Sequence, residues 1–534
     1  MKYAAMPLAF RRIPWWLACA LLGLLSLATV GPTYLGHDDA WYLHMAQVLL
    51  HGGTIYRDVV DTNPPLIVFL SLPPVWLAER LGIGATGTFK ACVFCAEAVS
   101  IFVCARLLRL AWSGGSETTR DVLLASVAFA LVPFARPEEF GQREHLMMLL
   151  VLPYLIAAVA PAQGRELRGP AAFAIGVAGG LGFAMKPHYV LAWLAIETTL
   201  LLVSHAGRGY AHSWRRREAL GAAAVLACYA LAVLLFVPQY LVLANKVRQV
   251  YGGLNASAAL LFRLRDAQLW AAGLLALVLI RLPRASRSAC VLLFIAWSAF
   301  LLAAILQLKG WNYHLYPARA CALLFFVAFV LALFEAVPAL GAVLRGGMRG
   351  IAFGIVAALL VSAGRYLLEA RRPVVDTDLV TPLVRLIEAD APRGTVAVLS
   401  MRTIIYPAFP AVNYAGARWT MRHNSLWFLP GLYEKELQAA DGVVPFRAPG
   451  AMPRLERDFY EEVIGDLCAA PPDLLLVERA DPRAPGGRRA LDLAAYYSQD
   501  GRYARLARGY EPLTVLGPFS VFKRTAGASC SRAP

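Results

Sequence analysis

A chain of 534 residues that is 59% hydrophobic and only 16% charged, with a mean hydropathy of +0.55, is too apolar for a soluble globular protein. Uncharged stretches close to the ~20 residues needed to cross a bilayer recur along it. The net charge of +16 does not point to nucleic acid, because many basic residues sit in short connectors between apolar runs, the positive-inside pattern of a membrane protein.

The first apolar run, residues 14–35, follows Lys2, Arg11 and Arg12. Its length, and the poor cleavage site in Gly31-Pro32-Thr33-Tyr34, make it a retained helix rather than a removed signal peptide. Further runs lie near 66–81, 88–112, 121–137, 144–160, 170–186, 188–205, 219–240, 266–283, 288–307, 315–337 and 349–368. The connectors 205–218, 281–288 and 345–349 are the most basic and belong inside with the N-terminus. If every run between 66 and 205 crossed, the connector at Arg215–Arg217 would fall outside. The run 66–81 is short and carries Pro73-Pro74, which remove helical hydrogen bonds. Reading it as a juxtamembrane or re-entrant helix restores parity; so does reading 170–205 as one crossing and a hairpin.

On the first assignment about eleven transmembrane helices result, with the N-terminus cytoplasmic and the C-terminus outside. The loops 36–65, 135–145, 186–189 and 309–317 then share one outer face. The expected division is a membrane domain over 1–372 and a small extracytoplasmic domain over 373–534. In the latter the apolar runs shorten to strand length at 395–400, 472–478 and 513–522, while 376–390 and 453–467 read as helices, an α/β composition. Seven of the nine cysteines lie in or beside apolar runs and behave as small hydrophobes. Cys468 and Cys530 belong to the polar part and could pair if it lies outside the cell.

The stretch "GHDDAWYLHMAQVLLHGGTIYRDVVDTNPPL", residues 36–66, concentrates acids in the first loop of an apolar chain. Written as a helix from residue 40, Trp41, Met45, Val48 and Leu49 share a face suited to the membrane interface. Asp38 and Asp39 fall at its N-cap, where one carboxylate is explained by capping free N–H groups. The second acid, and Asp58 and Asp61 before Pro64-Pro65, are not explained that way. Carboxylates at a membrane surface can take a proton from an acceptor hydroxyl or hold a divalent cation against a phosphate leaving group. Arg57, Lys186 and Lys309 could meet that phosphate directly. Glu97, deep in the run 88–112, reads as an interhelical hydrogen-bonding residue, and Glu197, near a helix end, as one that snorkels or pairs.

The pattern "DDAWY…G…Y.D…D.NPPL" resembles the first outer loop of the membrane-embedded GT-C glycosyltransferases, in the branch of the protein O-mannosyltransferases and lipid A aminoarabinose transferases. The resemblance covers roughly residues 10–340 and implies a GT-C-like fold. It places Asp38 at the family's catalytic acid, Asp39 beside it, and Asp61 at the acid before the proline. Glu144 of "GQREHLMMLL" matches an acid that opens a later helix; Lys309, Tyr313 and Pro317 match a later outer-loop element, and Lys186 a mid-chain lysine. Where the aminoarabinose branch has a lysine after the second acid, this chain has Thr62, so Lys186, Lys309 or His314 would have to supply that phosphate contact. Arg143 and His145 have no place in the pattern.

The resemblance implies an inverting glycosyltransferase of the bacterial inner membrane. A sugar would move from a polyprenyl-phosphate donor to a hydroxyl of an envelope lipid, polysaccharide or protein, with Asp61 and Glu144 as candidate ligands of a divalent metal and the C-terminal domain in the periplasm. The rival is a transporter or lipid-linked sugar flippase. Transporters place ionisable residues at the midplane on broken helices within repeated halves, and this chain puts its acids at the surface and shows no obvious halves.

Overall fold

With no charge to keep them in water, the apolar runs become helices, in which every backbone polar group is satisfied internally. The structure, a computed structural model, describes residues 15–112, 117–132, 139–162, 167–205, 216–336, 377–402, 405–439, 442–480, 490–525 and 527–530. The run 349–368, the connector 345–349, most of the connector 205–218 and loop residues 135–138 lie outside the described residues.

In chain order the membrane part contains α1 (Trp15–Val30), α2 (His37–Leu50), α3 (Leu66–Leu81), α4 (Ala85–Ala111), α5 (Glu117–Leu131), α6 (Arg143–Ala162), α7 (Pro170–Ala184), α8 (Val190–His205), α9 (Arg217–Phe236), α10 (Gln239–Val250), α11 (Leu264–Leu279), α12 (Arg284–Leu306) and α13 (Tyr316–Ala336). By length and composition, the segments Ala85–Ala111, Arg143–Pro161, Arg217–Phe236, Ser286–Leu306 and Asn312–Phe334 can each cross a bilayer; Cys19–Val30, Pro170–Ala184 and Pro187–Leu202 are shorter apolar helices. The chain is a polytopic helical membrane protein.

Two proline-marked stretches resolve differently. α3 runs through Pro73 and Pro74 and stops at Gly82, whose φ of 65° closes the last turn. At 170–205 the chain makes two helices. Lys186 precedes Pro187 and is extended (φ −140°, ψ 140°), as a residue before proline prefers, so α7 ends there and a short 3-10 turn leads into α8.

α7 and α9 pack closely through small residues. A Cβ on Gly176 would come within 2.1 Å of the Glu218 carbonyl oxygen, and one on Gly221 within 2.6 Å of the Phe173 carbonyl oxygen. Where lipid is as apolar as the helices, such backbone approach drives association. Arg216 lies at the same end, buried between Glu218 (3.1 Å) and Glu197 (3.4 Å), and Glu197 also accepts from the Tyr154 hydroxyl at 2.5 Å. Glu197 is therefore paired rather than snorkelling. Glu97 of α4 lies 3.4 Å from His145 Nε2 of α6, an interhelical contact.

The C-terminal part folds around a mixed five-stranded sheet in the order β2-β1-β3-β5-β4. Strand β1 (Thr395–Leu399) runs parallel to both β2 (Arg418–Trp419) and β3 (Leu474–Glu478), while β5 (Phe519–Arg524) is antiparallel to β3 and to β4 (Tyr510–Leu516). β1 and β3 are buried along almost their whole length, which suits their unbroken apolar sequences. β4 lies exposed at the edge with Pro512 in it. The run 513–522 is thus a hairpin turned at Gly517-Pro518, not one strand. Helices α14 (Thr377–Asp390), α15 (Ala408–Tyr414), α16 (Phe428–Leu432), α17 (Arg454–Ala469), α18 (Leu493–Ser498) and α19 (Gly501–Ala507) accompany the sheet. Cys468, at the end of α17, is disulfide-bonded to Cys530.

The two parts meet over the first loop, and this corrects the expectation for α2. It is not a half-exposed interfacial helix: Asp39, Ala40, Trp41, Tyr42, Leu43, Met45 and Ala46 are all buried. α15 covers it, with Phe409 against Trp41 (5.0 Å) and Asn413 donating to the Ala40 carbonyl at 3.0 Å. The Tyr34 ring stands edge-on to Tyr414 at 4.8 Å. A second junction is at Gly431, where a Cβ would come within 1.9 Å of the Val250 carbonyl oxygen.

Replacing Gly176 by alanine should push α7 off α9 and destabilise the protein by ~1–3 kcal/mol, the usual cost of overpacking. Thermal unfolding in detergent reads this as a lowered midpoint.

Candidate functional site

The first loop leaves α1 at Val30 and enters α2 at His37, with Gly36 as the N-cap. Neither acid of the pair caps the helix with its side chain, which overturns the capping explanation for one of them. Asp39 is buried, and both its carboxyl oxygens lack a hydrogen-bond partner. Burial first, then the charges of Asp38 and Glu144, push its carboxyl well above the usual range. Space for it comes from Gly36, where a Cβ would lie 2.8 Å from Asp39 Oδ2.

Asp38 differs. Its side chain is 22% exposed, and Oδ2 accepts from Arg143 Nη2 at 3.1 Å. Burial acts to raise this carboxyl, but His37, Arg143 and Lys186 together hold it below its ordinary value. Asp38 is therefore an ionised carboxylate with access to solvent.

The far end of the loop is built by a turn. Asp61 Oδ1 accepts from the Asn63 backbone N–H at 2.8 Å and from Asn63 Nδ2 at 2.6 Å, a local side-chain-to-backbone turn just before Pro64-Pro65. Asn63 Nδ2 also donates to the Tyr42 hydroxyl at 3.0 Å, and Asn63 Oδ1 accepts from Arg143 Nη1. Arg143, the first residue of α6, is buried and lies over the Tyr42 ring at 5.5 Å. A continuous chain results: Asp61, Asn63, Arg143, Asp38. Burial pushes the Asp61 carboxyl up, against the opposing bonds from Asn63.

Glu144, next to Arg143, sits in a second cluster. Its Oε1 accepts from Lys186 Nζ at 2.6 Å and from the Tyr189 hydroxyl at 3.0 Å, with His314 Nε2 4.0 Å away. Lys186 also donates to Gln307 Oε1 at 2.7 Å and lies 5.8 Å from the centre of the Tyr313 ring. Lys309 donates to the Tyr251 carbonyl at 2.6 Å and to Asn255 Oδ1 at 2.9 Å, with no carboxylate among those partners, and lies 3.7 Å over the Tyr251 ring. Burial pulls both lysines down to about 8, Lys186 against the support of Glu144. Among the described residues, buried Arg143 Nε, Glu144 Oε2 and His314 Nδ1 have no hydrogen-bond partner within the protein. Each is a valence that a bound molecule can fill.

Of the residues expected from the sequence, Asp38, Asp39, Asp61, Glu144, Lys186, Tyr313 and His314 are brought together, and Lys309 flanks them through Tyr251. Arg57 is not. It is 68% exposed and pairs with its neighbour Asp58 at 2.9 Å, while Asp58 accepts from the Thr54 N–H at 2.7 Å. Both belong to a surface turn, so Arg57 is corrected from a phosphate ligand to a turn residue. The proposed metal pair does not fit either. Glu144 Oε1 is taken by a lysine at 2.6 Å, Asp61 Oδ1 by Asn63, and no group of three or more His, Cys, Asp or Glu side chains that could hold a metal occurs among the described residues.

Sequence reading missed Arg143 as the hub, together with Asn63, Tyr42, Tyr189 and Gln307. Asn63 was visible inside "DTNPPL", and Arg143 inside "GQREH"; neither spacing tells which acids a guanidinium will bridge.

No protein-family model matches the chain, and no curated protein matches it. Among solved structures it is similar to ArnT from Cupriavidus metallidurans bound to undecaprenyl phosphate, at 15% identity and a TM-score of 0.49 over 96% of this chain and 98% of that one. The apo state of ArnT from the same organism gives 14% and 0.47 over the same shares. The arabinofuranosyltransferase AftD from Mycobacteria gives 15% and 0.46 over 99% of this chain and 42% of that one. At TM-scores below 0.5 the likeness lends no weight to the roles of individual residues, which rest on the geometry above.

Lys186→Met should destabilise the protein by ~3–5 kcal/mol, because it leaves the Glu144 charge buried without its cation. Adding Glu144→Gln should recover much of that loss. Unfolding midpoints of the two single variants and the double variant check both statements.

Proposed function

We propose that this protein is an inverting glycosyltransferase of a bacterial cell membrane, moving a sugar from a polyprenyl-phosphate donor to a hydroxyl acceptor at the outer face. The observation that carries this reading is Asp38: an ionised, solvent-reached carboxylate fixed by a buried arginine, within the field of a buried lysine. A base and cations at one site match a reaction in which a hydroxyl loses a proton while a phosphate leaves.

In the reaction, Asp38 takes the proton of the acceptor hydroxyl. The oxygen attacks the anomeric carbon from the face opposite the leaving group, and the bond between that carbon and the phosphate oxygen breaks. The electron pair departs with polyprenyl phosphate, whose charge meets Lys186, Lys309 and the unpaired Arg143 Nε. Arg143 serves both sides: it orients Asp38 and offers a further donor. Asp61 acts through Asn63 and Arg143 rather than on the acceptor. The buried Asp39, held protonated, keeps a second negative charge away from the base. The N-terminus lies in the cytoplasm in this reading, and the C-terminal domain lies in the periplasm beside the acceptor.

The reading is tested by incubating purified protein in liposomes with radiolabelled polyprenyl-phosphate sugars and envelope fractions. Label transferred to an acceptor is the expected result; label moved across the vesicle without transfer overturns it in favour of a flippase. Asp38→Asn should lower kcat by roughly 10²–10⁴-fold, the range for loss of a general base, with membrane insertion unchanged.

The pH profile should be bell-shaped. Asp38 works ionised, so the rate falls as pH drops through its lowered value. Lys186 and Lys309 work charged, so it falls as pH rises through about 8. Replacing both lysines by arginine, which stays charged, should move the alkaline limb upward in initial-rate measurements.

A further inference from the structure

The C-terminal domain touches the site through a short strap, residues 422–424, at the turn before α16. The Arg422 carbonyl accepts from the Val60 N–H at 2.7 Å, and Val60 and His423 form a parallel β-bridge. One residue on, Asn424 Nδ2 reaches Asp61 Oδ2 at 3.5 Å. The strap is itself anchored. The Arg422 guanidinium and backbone N–H grip Asp466 of α17 at 2.7–3.1 Å, and His423 Nε2 lies 2.9 Å from Glu462 of the same helix. The Trp419 indole also donates to the His423 carbonyl at 3.0 Å.

We propose that this strap is a positioning device for the base: Asn424, through Asp61, Asn63 and Arg143, fixes the orientation of Asp38, which makes the C-terminal domain a working part of the transfer site. The geometry of the chain supports this. Asp61 has one oxygen committed to Asn63, and Asn424 is the partner of the other. A carboxylate held from both sides keeps Asn63 in the rotamer that receives Arg143, and Arg143 in turn holds Asp38 Oδ2. The bridge at Val60 sets the height of Asp61, because it lies next to it in the chain. α2 itself, which carries Asp38, is pinned by Asn413 of the same domain. Both ends of the chain are therefore contacted by the C-terminal domain.

The effect on turnover rests on the transferase reading; the coupling does not. Asn424→Ala should lower kcat about tenfold, within the cost of a small misplacement of a reacting group, and leave both KM values within about twofold, since Asn424 need not touch a substrate. Asn424→Gln, which keeps an amide donor, should restore part of the rate. A wild-type rate in Asn424→Ala, or a loss confined to KM, overturns the positioning role. The coupling is read without turnover from a double-mutant cycle on unfolding free energy between Asn424→Ala and Arg143→Lys, residues with no direct bond to each other. Non-additive effects are expected if Asp61 and Asn63 connect them; additive effects overturn the proposal. If the wild-type protein transfers no sugar while the cycle is non-additive, the transferase reading fails and the coupling stands.

Discussion

A buried guanidinium organises this site. Arg143 opens α6 in a position where the helix dipole disfavours a cation and where burial penalises it further. It is tolerable only because Asp38 lies on one side, the Asn63 amide on another and the Tyr42 ring beneath. Removing any of these partners would leave a charge or a dipole stranded out of water. The arginine thus ties the start of α2, the turn before α3 and the start of α6 into one arrangement, and holds Asp38 at its accessible edge.

Around that hub, acids and cations are sorted by environment. Three carboxylates cannot all be ionised in a small dry volume. Asp38 keeps its charge beside Arg143 and Lys186, whereas Asp39, with no cation bonded to it, is driven to the neutral form. Glu144 is committed to Lys186. The result is one ionised carboxylate near solvent with phosphate-compatible cations beside it, an asymmetry that identical residue types acquire only from where they sit.

The same logic explains why the C-terminal domain lies on the first loop. α2 buries Trp41 and Tyr42, and the domain packs Phe409 on Trp41, Tyr406 on His37 and Tyr414 on Tyr34 just before the helix. Through the strap at residues 422–424 the domain also reaches Asp61.

Much of this protein was readable from its residues. Apolar runs declared the helices, because in lipid the backbone has no other way to satisfy itself. The short runs at 395–400 and 472–478 declared buried strands, and the first loop stood out because four acids in an apolar chain need a reason. Asp38, Asp61, Glu144 and Lys186 were marked by type and by resemblance. What the sequence could not carry was pairing. Whether Asp39 caps a helix or sits unpaired, whether Arg57 or Arg143 is the site's arginine, and whether α2 faces lipid or protein all depend on contacts between distant segments; Asp61 and Asn424 are 363 positions apart. Local spacing determines the face a residue occupies. Only the tertiary structure decides which charge lies opposite it, since that energy depends on distance and burial rather than on order along the chain.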